Sequence, residues 1–122
     1  MGKWLSEQLN GDVPVLLPWA SLLGFCRIAT DARIFASPLP PSEAIERVND
    51  ILAAPQAQII EPGPKHWSIV SDLILRAQAH AARVTDAHLA ALALEHGAIL
   101  CTSDRGFARF PGLRTLDPAA TI

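Results

Sequence analysis

Residues 85–104 read TDAHLAALALEHGAILCTSD, and the fold follows from how this stretch divides. Residues 86–96 are apolar almost all round, which predicts a helix sandwiched inside the fold rather than lying on its surface. Thr85 is a candidate cap for its start, and Gly97 is the residue that ends it. Residues 98–102 (AILCT) form a short continuous apolar run, the pattern of a buried strand. With only Gly97 between them, helix and strand pack closely and run antiparallel. The start of the helix and the end of the strand therefore come to the same edge.

The same alternation extends outward in both directions. Residues 57–61 (AQIIE) predict a second strand, closed by Pro62-Gly63-Pro64. Residues 65–81 predict a long amphipathic helix, with Trp67, Ile69, Val70, Leu73, Ile74 and Ala77 recurring at helical spacing. Residues 13–19 (VPVLLPW) predict a buried strand that Pro14 and Pro18 limit to a few residues. Residues 20–30 read as a helix with Leu22, Leu23, Phe25, Cys26 and Ile28 largely buried. After a loop at 31–39, Pro40-Pro41-Ser42-Glu43 opens a helix to about Ala53, Ser42 being a cap candidate and Ala44, Ile45, Val48, Ile51 and Leu52 its inner face. Residues 2–9 predict a helix stopped by Asn10-Gly11, residues 103–112 a loop or short helical turn, and residues 113–116 a last strand. Apolar strands alternating with helices predict an α/β fold, three-layered, with a mostly parallel central sheet and helices on both faces. In such sheets ligands sit beyond the C-terminal ends of the strands.

Length and charge bound the rest. The chain has 122 residues, one domain's worth (residues 1–122). Half the residues are hydrophobic and mean hydropathy is +0.25, so the chain has the apolar content for a core. A formal charge of −2 excludes a generally basic nucleic-acid binder and leaves room only for a local site. Between residues 76 and 114 arginine does dominate, with Arg76, Arg83, Arg105, Arg109 and Arg114 set against Asp86, Glu95 and Asp104. The two cysteines, Cys26 and Cys101, make neither a disulfide framework nor a zinc motif and read as small core residues, which fits a reduced, cytoplasmic setting. No apolar run reaches membrane-spanning length, so no membrane partner is expected.

Two carboxylates meet the strand-end rule. Asp86 lies in the first turn of the apolar helix, and Asp104 follows the strand 98–102. Each has a plainer explanation: Asp86 as an acid favoured by the helix macrodipole, Asp104 as the turn former of Ser-Asp-Arg-Gly. Taken together at one edge, they form an all-oxygen cluster suited to Mg²⁺ or Mn²⁺ rather than zinc. Thr102 and Ser103 flank Asp104, with hydroxyls for its carboxylate, for a water, or for ordinary strand-end bonding. Arg83 and Arg105 each lie near one of the carboxylates, placed to contact phosphate or simply to balance charge on a solvated rim. The four histidines, His66, His80, His88 and His96, fall on helices at unrelated phases and read as surface, capping or packing residues. No Walker A loop, G-x-G-x-x-G turn or G-x-S-x-G elbow is present.

The stretch VTDAHLAALALEHGAILCTSDRGFARFPGLR resembles the C-terminal half of a PIN-domain toxin of the VapC type, and LPWASLLGFCRIAT with the proline-initiated helix after it resembles the middle of that family. The resemblance implies a Mg²⁺- or Mn²⁺-dependent endoribonuclease acting on tRNA, rRNA or mRNA. It also implies a homodimer and a VapB-like antitoxin partner whose C-terminal segment lies across the acidic cleft and offers an arginine. Asp86 and Asp104 match two of the family's metal-binding acids and are the expected catalytic residues. The family pattern also contains a first strand ending in an Asp and a second acid in the helix after PWASLL; nothing like the first precedes Trp4, and Gly24 stands near the place of the second. On this resemblance the first strand, first helix and one ligand are expected to be missing, which leaves a sheet edge for a dimer or partner to cover. A start codon upstream, a truncated piece or a degraded relative would each account for that. The competing expectation is a catalytically inactive PIN-like module that binds antitoxin or another protein.

Overall fold

The computed structural model describes residues 2–121. It divides into two compact units, Gly2–Ile60 and a second from Glu61 onward.

In the first unit, α1 (Gly2–Leu9) ends where Asn10 begins a turn, and Leu9 is buried. Gln56, in the turn after Ala53, fastens that end: its N–H donates to the Leu9 carbonyl at 3.1 Å and its side-chain amide to the Gly11 carbonyl at 3.1 Å. The apolar run at 13–19 yields β1 (Val15–Pro18), which pairs in parallel with β2 (Ala57–Ile60), Val15 opposite Ala57 and Pro18 opposite Ile60. Pro18, which has no N–H to donate, sits at the last rung. Between the strands run α2 (Trp19–Ala29) and α3 (Pro41–Ala53). Helix α3 starts with Pro41 at its first turn and Pro40 at the cap position. Ser42 therefore lies inside the helix and no side chain caps it. The expected inner faces are only partly covered. Leu22 and Ala44 are buried, whereas Leu23 is 66% and Ile45 58% exposed, and Phe25 and Ile28 are also exposed.

In the second unit, α4 (His66–Ala77) packs on α5 (Arg83–Glu95). Their core holds Val70 and Leu73 of α4, Ala87, Ala90 and Ala91 of α5, Ala79 between them, and Phe107 and Phe110. The small side chains of α5 let its backbone approach its neighbours closely, which explains why a helix with so little amphipathic contrast is stable. Trp67, expected on the inner face of α4, is 73% exposed. Helix α4 is also shorter than its periodicity predicts. Gln78 adopts a left-handed φ of 52°, its N–H bonds the Leu75 carbonyl, and the Ala79 N–H returns to the Ile74 carbonyl at 2.9 Å, turning Ala79 into the core. Helix α5 ends by the same geometry at Gly97 (φ 61°), with Ala98 N–H on the Ala93 carbonyl at 2.8 Å. Its start lies two residues before Thr85, so Thr85 is a first-turn residue and not the cap.

The strands β3 (Leu100–Cys101) and β4 (Thr115–Leu116) pair in parallel, and the Thr102 N–H extends the ladder to the Leu116 carbonyl at 2.9 Å. A 3₁₀ helix, Arg105–Arg109, connects them and delivers Phe107 to the core. The fold is thus α/β with parallel strand pairs, as the alternation predicts. The expected central sheet is represented among the described residues by these two two-stranded ladders. Cys26 and Cys101 are free thiols, and Cys101 is exposed rather than in the core. No helix among the described residues is long and apolar enough to cross a membrane.

Candidate active site

The C-terminal ends of β3 and β4 open on a cavity of about 290 Å³, lined by Thr102, Ser103, Asp104, Arg105, Ala108, Thr115 and Asp117. Asp104 enters it from the turn after β3. Its carboxylate caps the 3₁₀ helix, Oδ1 accepting the Gly106 N–H at 2.8 Å, while its own N–H donates to Thr102 Oγ1 at 3.1 Å. The turn-forming role and the placement at a strand end are therefore both realised in one residue. Thr102 holds the Asp104 backbone and not its carboxylate. Ser103 turns the other way, donating from Oγ to Asp117 Oδ1 at 2.8 Å, an oxygen that also accepts the Ala119 N–H. Arg105 lines the same cavity from the first position of the 3₁₀ helix.

Asp86 reaches Asp104 through Arg83. Because α5 starts at Arg83, Arg83 and Asp86 are three residues apart in its first turn, on one face. Arg83 Nη1 donates to Asp86 Oδ2 at 2.7 Å and to Asp104 Oδ2 at 3.0 Å, with a longer contact of 3.5 Å from Nη2 to Asp104 Oδ1. One nitrogen thus touches an oxygen of each acid, and those two oxygens are separated by no more than the two bonds laid end to end. The Gly106 N–H, and then the Arg83 guanidinium, hold the Asp104 carboxyl below the usual carboxylate range. Asp104, and then Asp86, push the Arg83 guanidinium upward in turn.

A hard divalent ion suits two carboxylates with its remaining positions given to water or phosphate oxygen. Asp86 and Asp104 meet that requirement in type and in separation, and a positive group, the guanidinium, already lies between them. Among the described residues no group of three or more His, Cys, Asp and Glu side chains converges as a ready-made cage. The residues therefore fit an ion held by two carboxylates together with waters or a ligand's phosphate.

The histidine spacing does not predict a second polar cluster that the structure contains. His66 Nδ1 pairs with Glu95 Oε1, His66 Nε2 contacts His88 Nδ1 at 2.8 Å, and the Gly63 N–H donates to Glu95 Oε2 at 2.7 Å. Burial alone would raise the Glu95 carboxyl, but His66 and the Gly63 N–H outweigh it and hold the group low. His88 is shifted down, by burial first and by His66 second. The sequence signal was there: His88 and Glu95 are seven residues apart, two helical turns, and so share a face of α5. His96 lies at the end of α5, Nε2 contacting the Glu61 carbonyl oxygen at 3.1 Å.

Comparison with known proteins agrees with this architecture. The family model for the PIN domain matches residues 2–113. Ribonuclease VapC43 of Mycobacterium tuberculosis is 43% identical over 117 residues, covering 95% of this chain and 80% of the relative. Ribonuclease VapC37 of the same organism is 41% identical over 120 residues, covering 98% and 83%. The solved structure of VapBC-1 from nontypeable Haemophilus influenzae matches with a TM-score of 0.66 at 16% identity, over 96% of this chain and 86% of that one, a likeness of fold. A parallel-stranded α/β chain matched by the family model over almost its whole length, and by relatives above 40% identity, belongs to the PIN-domain family, among its VapC-type members.

Proposed function

We propose that this chain is a Mg²⁺- or Mn²⁺-dependent endoribonuclease, the toxin of a toxin–antitoxin pair, with Asp86 and Asp104 as its catalytic, metal-holding acids. One observation carries this reading: two carboxylates from different elements meet on a single cationic nitrogen beside a cavity at the strand ends. The relatives named ribonuclease support the reaction class. When bound between these acids, the metal supplies a water of lowered pKa and positive charge against the phosphoryl oxygens. The chain's own residues do the positioning. Thr102 fixes the Asp104 backbone, and the Gly106 N–H orients its carboxylate. Arg105, on the cavity wall, and Arg83 are placed to bind the RNA backbone, for which a guanidinium fork suits two phosphate oxygens. Ser103 steadies the turn through Asp117.

Both compact units form one PIN domain in this reading, since a single family model runs through them. The partner is a VapB-like antitoxin, the working state a homodimer, and the setting the cytoplasm. Helices α2 and α3, with Leu23 and Ile45 exposed, offer the dimer an apolar surface. The test is cleavage of a labelled RNA with Mg²⁺ by the purified chain. Since altering a residue behind a metal ligand already costs 10- to 100-fold, Asp86→Asn and Asp104→Asn are each expected to reduce cleavage by about a hundredfold or more. Equal cleavage by wild type and both variants would overturn the assignment.

A further inference from the structure

We infer that Arg83 is a built-in counter-cation that occupies the ion's position between Asp86 and Asp104, so that a divalent metal binds only by displacing it. The inference rests on the site reading above. Its first support is the bond pattern: Arg83 Nη1 is within hydrogen-bonding distance of one oxygen of each acid, the place a bridging cation would take. Its second is independent of charge. The guanidinium lies so close over Gly106 that a methyl group built there would fall 2.2 Å from Cζ, Nη1 and Nη2 of Arg83. Only a residue without a side chain leaves room for the arginine in this position. Gly106 also orients Asp104 through its N–H, so one residue both shapes the acid and seats the cation that neutralises it. The guanidinium is the free end of a flexible side chain, about a third exposed, and has open solvent to move into. Its release leaves two close, like-charged carboxylates, a condition that favours a doubly charged ion.

The experiment is a calorimetric titration with Mn²⁺ of the full 122-residue chain as wild type, Arg83→Ala, Gly106→Ala and Asp86→Asn. Arg83→Ala removes the resident cation. Gly106→Ala keeps the arginine but forces its guanidinium out of this position, and no left-handed φ stands in the way of alanine there. Two partly exposed ion pairs are lost in Arg83→Ala and disturbed in Gly106→Ala, so the first is expected to bind Mn²⁺ roughly fivefold more tightly than wild type and the second more tightly by up to the same factor. Asp86→Asn is expected to abolish binding. If Arg83→Ala and Gly106→Ala bind no more tightly than wild type while Asp86→Asn loses the ion, the counter-cation role is overturned and the site stands. Weaker binding by both would likewise overturn it, since Arg83 would then be organising the acids. If Asp86→Asn binds as wild type does, or no variant binds Mn²⁺, the site reading itself fails.

Discussion

At the scale of single residues, the polar groups of the second unit are held by mutual bonding. Glu95, with its side chain only 9% exposed, accepts from His66 and from the Gly63 N–H. Its carboxyl is held low in the folded chain, so the anion is favoured by folding. The sign follows directly: that stability is present above the ordinary glutamate value of 4.5 and is lost as pH falls through the lowered folded value. Glu95→Gln is expected to destabilise by about 1 kcal/mol at neutral pH, by weakening a part-buried charge-assisted pair. The difference in melting temperature between wild type and variant should shrink as the pH is taken from 6 toward 3. A difference that stays constant over that range would show that the carboxylate charge is not what the pair contributes.

At the scale of elements, the helix ends and the 3₁₀ turn decide how the second unit closes. Helices α4 and α5 end by the same hydrogen-bond pattern, one with Gln78 and the other with Gly97 in the left-handed region. A side chain in that region costs roughly 1–2 kcal/mol, part of which glycine loses again to its freedom in the unfolded chain. Gly97→Ala is therefore expected to destabilise by about 1 kcal/mol and Gln78→Gly to stabilise by somewhat less, both read from the midpoint of urea denaturation. The connection between β3 and β4 has a different anchor. Phe107 and Phe110 come from a turn whose first hydrogen bond is made by Asp104, and Phe110 is 2% exposed. Phe110→Ala is expected to cost about 3–5 kcal/mol. Because the same turn presents Asp104, RNA cleavage should fall along with stability; a variant that melts early yet cleaves normally would separate the turn from the site.

At the scale of the molecule, charge and exposed apolar surface set the interactions. If the chain binds RNA as proposed, a net charge of −2 leaves that attraction to local groups such as the arginines rather than to the whole surface. If Arg83, Arg105 and Arg109 each neutralise one phosphate, the slope of log Kobs against log salt for a short single strand should be about −2. A slope several times steeper would place the contact on a broader surface. For the proposed homodimer, Leu23→Asp with Ile45→Asp is expected to shift the sedimentation coefficient to that of the monomer, and an unchanged value would move the dimer interface away from α2 and α3.

The alternation of apolar runs, proline and glycine was enough to locate each α-helix and strand among the described residues to within a few residues and to identify the class as α/β, because those patterns report local backbone preference and which residues share a face; the short 3₁₀ helix Pro118–Thr121 lies beyond the last predicted strand. It also brought Asp86 to a helix start and Asp104 to a strand end. Helical period does not say which face a neighbour covers, and so Leu23, Ile45 and Trp67 are exposed where the pattern placed them inward. Nor does it stop α4 at Gln78, a turn that carries Ala79 into the core. The pairing of Arg83 with Asp104, 21 residues away, and of His66 with Glu95, 29 away, arises only when the elements pack. Such partnerships depend on distances between separate elements, and those distances belong to the tertiary structure alone.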